Sequence, residues 1–231
     1  MFRSHCRLRL AIAIACIGLA AGCASPGDDL RQARAAHDIV NRATVTIATL
    51  AEPGARPELR TALHDACAVL IFPHVATVDF IAGGSAGAGV LLVRDAGSQH
   101  WVGPAFYAID QLDVGAQVGL ARREVVVVLH RCDGLAALER EGATFRLGTS
   151  WGMQAAERGP GVDAAPGVEV FSRTDGVYVG LALRATAVRP DRRLSDAYYD
   201  RPLPVAEVLA PGRPCDESSR EIRLAVELAA R

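Results

Sequence analysis

The sequence contains no lysine, and all 25 of its basic residues are arginine. This absence excludes a P-loop, a Schiff-base lysine and a Ser-x-x-Lys acylation pair, because each of these sites requires the lysine amine. The chain also lacks a C-x-x-C motif and any closely spaced pair of histidines. The ligand spacing of a zinc site is therefore missing, and we predict neither a metal nor a cofactor.

An excess of positive charge is also absent. Removing Arg3, Arg7 and Arg9, which belong to a segment that we predict is cleaved, leaves 22 basic residues against 26 acidic ones. Such a protein has no overall positive field to hold nucleic acid, so we expect no nucleic-acid partner. About 200 residues remain, which is enough for one domain with a hydrophobic core.

The N-terminal apolar run is too short to cross a bilayer as a helix. Residues 10–21 form a run of about a dozen apolar residues, whereas a spanning helix needs about 20. Arginines precede the run, and small residues lead from it to Cys23, in the order Leu19-Ala20-Ala21-Gly22-Cys23. This pattern is typical of a bacterial lipoprotein signal. We predict a signal peptide over residues 1–22, acylation of Cys23 with chains such as palmitate, and a lipidated tether over residues 23–27.

The alternative for this segment is an ordinary cleaved signal peptide that happens to contain a cysteine. The residues after Cys23 predict the membrane to which the lipoprotein is sorted. No acidic residue directly follows this cysteine. By the usual sorting rule of Gram-negative lipoproteins, this predicts the outer membrane, with the domain facing the periplasm.

Three further cysteines, Cys67, Cys132 and Cys215, follow the tether. An odd number in an oxidising compartment allows at most one internal disulfide and one remaining thiol. Because Cys67 and Cys132 lie within or beside apolar runs, buried thiols are the default expectation. The sequence leaves a disulfide among the three open.

Residues 28–50 have the periodicity of an amphipathic helix, with apolar residues in one sector and Arg31, Arg34 and Arg42 on the opposite side. One interpretation is a helix that packs on the domain through its apolar face. The other is a helix lying on lipid, with the three arginines meeting head groups. Together with a second short helix over residues 57–66, this defines an N-terminal helical segment that we place at residues 28–65.

Strand-like segments dominate the rest of the chain, at residues 87–94, 101–109, 114–121, 124–130, 143–150, 168–173 and 177–188. Turn signals such as Asp95-Ala96-Gly97-Ser98 separate them, and Asp175-Gly176 predicts a hairpin. Because strand follows strand with little helix between, we predict an α+β fold: an antiparallel sheet or partly closed barrel flanked by N-terminal and C-terminal helices. The domain spans residues 66–231, including a C-terminal helix.

Two motifs resemble functional sites, a phosphate-binding loop and a nucleophile elbow, but each lacks features that its site requires. The glycine-rich run at residues 83–89 lacks the lysine of a P-loop and precedes a strand, so we interpret its glycines as allowing close approach of two chain segments or a bend. The Gly-Thr-Ser-Trp-Gly pattern around Ser150 resembles a nucleophile elbow, but every histidine precedes Ser150 and the alternating βα context is missing. We predict that the protein is not an enzyme, with a serine hydrolase as the third-ranked alternative.

An ordered set of short motifs resembles the SYLF domain, a lipid- and actin-associated family that also occurs in bacterial lipoproteins. The resemblance covers residues 66–199, over half of the chain after the signal peptide. In chain order the similar blocks are residues 69–75 with 80–91, the Trp-x-Gly-Pro-x-Phe block at 101–106, Gly115-x-Gln117-x-Gly119 with 125–129, 158–161, 175–180 and Tyr198-Tyr199. The family usually has Lys-x-Gly just before Phe80, and here those positions hold Thr77 and Asp79.

The resemblance implies a lipid-binding module without enzymatic activity, with membrane lipid as anchor and ligand. Beside these glycine-rich strands, Phe72, Phe80, Trp101 and Phe106 are candidates to line an apolar groove, and core packing is the alternative for each. Actin binding is not expected for a periplasmic protein. The second-ranked hypothesis is a periplasmic structural lipoprotein that meets an unidentified protein partner.

Overall fold

The computed structural model describes residues 26–132, 135, 143–145, 150–151, 167–213 and 216–231. Within them, the helices and strands follow one another as α1 (Pro26–Leu50), α2 (Pro57–His64), β1 (Ala68–Arg94), β2 (Trp101–Leu129), β3 (Ala143–Phe145), β4 (Ser150–Trp151), β5 (Val168–Pro190), α3 (Arg192–Tyr199), α4 (Val205–Val208), a 3-10 turn (Glu217–Ser219) and α5 (Arg220–Ala229). The predicted α+β class, an antiparallel sheet flanked by N-terminal and C-terminal helices, is confirmed.

The helix α1 forms because one of its faces is continuously apolar. Ala36, Val40, Ala43 and Ile47, spaced three or four residues apart, are at most 2% exposed, whereas the arginines on the other side of the helix lie in solvent. A stripe of this spacing is buried best by packing on another element. The packed interpretation of this helix is confirmed, since its apolar sector is occupied by the domain.

The sheet is antiparallel and has β2 at its centre. Its order is β1-β2-β5-β3, and β4 pairs with β5. β2 pairs with β1 and with β5 over most of its length, while β3 and β4 contribute short pairings near residues 186–188 and 181–182 of β5. With these pairings, the described strands form an open sheet and not a closed barrel.

The strands are longer than the sequence predicts, and one predicted turn is wrong. The predicted segments 101–109, 114–121 and 124–130 merge into the single strand β2, which ends at Leu129, and 168–173 and 177–188 belong to β5. The Asp175-Gly176 hairpin does not form, because Asp175 pairs with Arg122 and Gly176 with Ala121 on β2. The turn at residues 95–98 is confirmed and joins β1 to β2.

β1 folds back on itself, so that its first and last thirds lie side by side. The backbone N–H of Arg94, at the end of β1, donates to the carbonyl of Cys67, just before β1 begins, at 2.8 Å. A Cβ on Gly87 would lie 2.5 Å from the carbonyl oxygen of His74, and one on Gly89 would collide with Ile71 and Phe72. The glycine-rich run therefore permits close approach of two backbone segments, as predicted.

Alternation along the strands sends side chains into two cores. Val69 and Ile71 join a cluster with α1, α2, α3 and α5, which we call the helix-side core. Leu70 and Phe72 point the other way, into a cluster that includes α4, which we call the ribbon-side core. Because successive residues of a strand face opposite sides, a continuous apolar run indicates a strand that is covered on both faces.

A disulfide joins Cys67 to Cys132, with Cα atoms 5.9 Å apart. The default expectation of buried thiols is therefore wrong for this pair, and Cys132 is exposed. Cys23, Cys215, the predicted signal peptide, most of the predicted tether and residues 158–161 lie outside the described residues.

Candidate lipid-facing surface

The outward side of α1 carries the three arginines predicted to meet lipid. Arg31, Arg34 and Arg42 are exposed. Arg31 forms an ion pair with Asp28, and Nε of Arg42 lies 2.7 Å from a carboxylate oxygen of Asp38. Among the described residues, Arg34 has no ion-pair partner within 4.0 Å. Its charge is therefore the one of the three that an anionic head group would meet uncompensated.

Among the described side chains of α1, two large apolar ones are exposed and could contact a bilayer. Leu30 is 63% exposed and Val45 is 64% exposed, while the apolar sector of the helix faces the helix-side core. Leu30 lies one turn before Arg34 and 15 residues before Val45, so only Leu30 lies near the start of the helix. None of the helices that the structure describes combines the length and the hydrophobicity of a transmembrane span.

The aromatic candidates occupy the protein interior. Phe72 and Phe106 are 0% exposed and Trp101 is 3% exposed. Phe106 and Trp101 belong to the helix-side core, and Phe72 belongs to the ribbon-side core. The backbone of Phe80 lies in β1, and its side chain lies outside what the structure describes. A buried ring reaches lipid only if the packing around it opens.

Two of the blocks that suggested the SYLF resemblance meet in space, and we call their contact the tyrosine clamp, formed by Pro104, Phe106, Tyr198 and Tyr199. The hydroxyl of Tyr199 donates to the carbonyl oxygen of Pro104 at 2.8 Å. The ring of Tyr198 lies 5.2 Å from that of Phe106, centroid to centroid. The clamp fastens α3 to the start of β2, so these motif residues hold the fold together.

Electrostatics at the clamp favour a neutral phenol. Burial raises the pKa of Tyr199, and the neighbouring Tyr198 adds to the effect. The guanidinium of Arg213 lies 4.9 Å from the centre of the Tyr199 ring, an arrangement that attracts a cation to the ring face. Tyr198 also contacts the imidazole of His37 on α1, with ring centroids 4.7 Å apart.

Arg94 has a structural role that the sequence does not predict. Its guanidinium donates to the carbonyl oxygens of Leu63, at 2.7 Å, and His64, at 3.0 Å, which terminate α2. It also lies 4.8 Å from the centre of the Trp101 ring. Partial burial lowers its pKa, and Asp65 opposes that shift. Nothing in the local sequence signals this role, because it depends on β1 folding back to α2.

The residues considered for chemistry do not assemble into a site in the described part of the chain. Ser150 lies in β4, paired with Ala182 of β5, whereas a nucleophile elbow places its serine in a turn between a strand and a helix. Among the described residues, no group of three or more histidine, cysteine or carboxylate side chains could hold a metal ion.

The α+β fold and the motifs that meet in the tyrosine clamp indicate a domain of the SYLF class. Comparison with known protein families agrees with this class. Residues 110–229 match the family model named Ysc84, described as Las17-binding protein actin regulator. The match covers just over half of the chain, so the protein belongs to this family, whose domain is the predicted SYLF domain of lipid- or actin-binding type. No curated protein and no solved structure matches the chain.

Proposed function

We propose that this protein is a lipid-binding lipoprotein of the bacterial envelope that performs no catalysis. In this proposal, acylated Cys23 holds the domain at the periplasmic side of the outer membrane, and the start of α1 contacts lipid head groups. The observation that carries the proposal is membership of the SYLF family, a domain family of lipid- or actin-binding type.

Chain length supports a contact between α1 and the bilayer. Pro26, the first residue of α1, follows Cys23 by three residues, which span at most about 10 Å when extended. Arg34 lies about 12 Å further along the helix at 1.5 Å per residue. An anchored Cys23 would therefore keep Leu30 and Arg34 near the head groups, whereas Arg42 lies a further 12 Å or so along the helix.

Anchoring also changes the affinity that the domain needs. A tethered domain experiences lipid at a high effective concentration, so a weak contact suffices. An arginine near an anionic surface contributes about 1 kcal/mol to binding. One uncompensated arginine and one exposed leucine, Arg34 and Leu30, are consistent with such a weak contact.

Vesicle sedimentation of the Cys23→Ser protein would test lipid binding without the anchor. We expect it to bind vesicles containing phosphatidylglycerol more strongly than phosphatidylcholine vesicles, with binding that weakens as salt rises. Arg34→Gln in the same background would reduce binding about fivefold, which corresponds to the 1 kcal/mol above.

Arg193→Gln is the matched control, since Arg193 is exposed on α3 and its substitution removes the same charge. Equal loss from both variants would indicate a general charge effect and contradict a role for α1. Absence of binding to every vesicle composition would contradict the lipid-binding proposal as a whole.

The second candidate is a periplasmic lipoprotein that binds a protein partner. Leu224 and Leu228, one turn apart on α5, are each 51% exposed, and large exposed apolar side chains in proximity are typical of interaction surfaces. Two results together would favour this candidate. The protein would bind no vesicles, and the double substitution Leu224→Ser with Leu228→Ser would abolish the products that the wild type forms on cross-linking in the envelope.

The hydrolase alternative depends on Ser150 alone. Esterase assays with the wild type and Ser150→Ala would test it. Equal background rates would support the absence of catalysis, and a loss of activity in the variant would reverse the proposal.

A further inference from the structure

We propose that the Cys67–Cys132 disulfide is a covalent clasp that stabilises the fold at the point where β1 begins and β2 ends, and that it closes only after export. The dependence on export rests on the envelope location proposed above. The role in stability is independent of lipid binding.

The backbone around Cys67 connects three strand ends. Its N–H donates to the carbonyl of Leu129, the last residue of β2, and its carbonyl accepts from the N–H of Arg94, the last residue of β1, both at 2.8 Å. Because Arg94 also donates to the final carbonyls of α2, this point joins the start of β1, its end, the end of β2 and a helix.

Cys132 lies just beyond β2, where the chain leaves the sheet. His130 still donates from its backbone N–H to Gly167 at 2.8 Å, and Cys132 follows it by two residues. The disulfide therefore ties the chain that leaves β2 back to the start of β1. Without it, the hydrogen bonds of Cys67 and His130 would hold this corner on their own.

The two cysteines have the placement that oxidation requires. Their Cα separation of 5.9 Å is within the range of native disulfides. Cys67 packs against the ribbon-side core, whereas Cys132 is exposed and accessible to an oxidant. A disulfide formed this way persists outside the reducing cytoplasm.

The oxidation balances through thiol–disulfide exchange with a disulfide-bearing oxidant of the envelope. The thiolate of Cys132 attacks the oxidant and forms a mixed disulfide, releasing one oxidant thiol. The thiolate of Cys67 then attacks Cys132 sulfur and displaces the second oxidant thiol. The two cysteines lose two electrons and two protons, and the oxidant leaves as a dithiol.

Alkylation of the protein purified from the envelope would test whether the bond forms. The full chain, denatured in iodoacetamide without reductant, should leave Cys67 and Cys132 unlabelled, and prior reduction should add two labels by intact mass. Cys215→Ala should keep this two-label difference, and Cys67→Ala with Cys132→Ala should lose it. Free thiols at both positions, or a peptide linking either one to Cys215, would overturn the proposal.

Thermal unfolding would test the role as a clasp. The cysteines are 65 residues apart, and closing a loop of that size should raise the Tm of the oxidised chain by about 10 °C over the double variant. A difference below about 2 °C would show that the bond does not stabilise the fold and would overturn the proposal.

Dependence on export would be tested with a chain that lacks residues 1–22 and stays in the cytoplasm. We expect Cys67 and Cys132 of this chain to be free thiols. Oxidation with glutathione disulfide should then raise its Tm to that of the oxidised chain purified from the envelope. A disulfide already present in the cytoplasm would overturn this part. Loss of vesicle binding with an unchanged labelling result would instead count against the proposed function alone.

Discussion

Gly89 shows how a single missing side chain controls the path of β1. A Cβ there would lie 2.5 Å from a ring carbon of Phe72 and would also collide with the carbonyl of Ile71. Because a backbone oxygen cannot rotate away, we expect Gly89→Ala to lower the free energy of unfolding by about 2 kcal/mol, as overpacking does. Urea unfolding followed by circular dichroism would measure it.

Gly97 provides the matched control, since a Cβ there would meet only a carboxylate oxygen of Asp95, at 3.6 Å. We expect Gly97→Ala to change the free energy of unfolding by less than about 0.5 kcal/mol. Equal effects at both positions would mean that close approach within β1 does not constrain Gly89.

Tyr199 is a residue whose ionisation should couple stability to alkaline pH. Tyr199→Phe removes the hydrogen bond to the buried carbonyl of Pro104, and we expect a loss of about 1 kcal/mol at pH 8. Because burial raises the pKa of Tyr199 above its ordinary value near 10, the folded state favours the neutral phenol. That contribution is complete below pH 10 and declines as pH rises above it.

The wild type should therefore lose stability between pH 9 and pH 11 more steeply than Tyr199→Phe. The urea midpoint of the wild type should exceed that of Tyr199→Phe at pH 9, and this difference between the two proteins should be smaller at pH 11. Parallel declines in the two proteins would contradict a neutral, buried Tyr199.

At the scale of elements, α1 contributes to stability through one face only. Ile47 is 0% exposed and Val45, two residues earlier, is 64% exposed. We expect Ile47→Ala to cost about 3 kcal/mol, because it leaves a cavity in the helix-side core. Val45→Ala should cost less than about 0.5 kcal/mol. Similar costs at both positions in chemical denaturation would contradict the packing of this helix.

Helices and strands differ in how well the sequence predicted them. The periodicity of α1 is local, and its predicted bounds of 28–50 agree with Pro26–Leu50. The hairpin at Asp175-Gly176 failed because a distant partner, β2, pairs with both residues. Turn propensity is a local quantity, and a long antiparallel ladder can override it.

α3 was missed for a different reason. It has eight residues, too few for a clear periodic pattern, and it follows β5 after a single residue. One local signal was present, since the side chain of Asp191 accepts from the N–H of Leu194 at 3.2 Å, as a helix N-cap does. Asp191 after a predicted strand could have indicated the helix.

At the scale of the whole molecule, the sequence predicted the family, but it did not predict which of the aromatic residues are buried. Ordered motifs identify the SYLF domain without knowledge of contacts, and the family match confirms it. The roles of individual aromatic residues depend on which core each strand face enters, which the sequence did not determine. Phe72 and Phe106 are both 0% exposed and lie in opposite cores. In this structure the two rings therefore do not line one groove.

The proposed membrane anchor should be separable from the folded domain. Cys23 precedes Pro26, where α1 begins, by three residues, and the buried residues of α1 start at Ala36. We therefore expect Cys23→Ser to leave the Tm unchanged while abolishing incorporation of radiolabelled palmitate. The variant should also leave the detergent-extracted membrane fraction, because the binding of two or three acyl chains, at about 0.8 kcal/mol per buried methylene, is lost.

The control for this experiment is Ser25→Ala, which changes the proposed tether and keeps Cys23. It should label and fractionate like the wild type. If the Cys23→Ser protein still accumulated in the outer membrane without label, the domain would be held there by its own contacts, and α1 with Leu30 and Arg34 would be the first surface to mutate. If the wild type itself took up no label, export without an anchor would remain the explanation for the N-terminal segment, and lipid binding would have to be measured without the benefit of tethering.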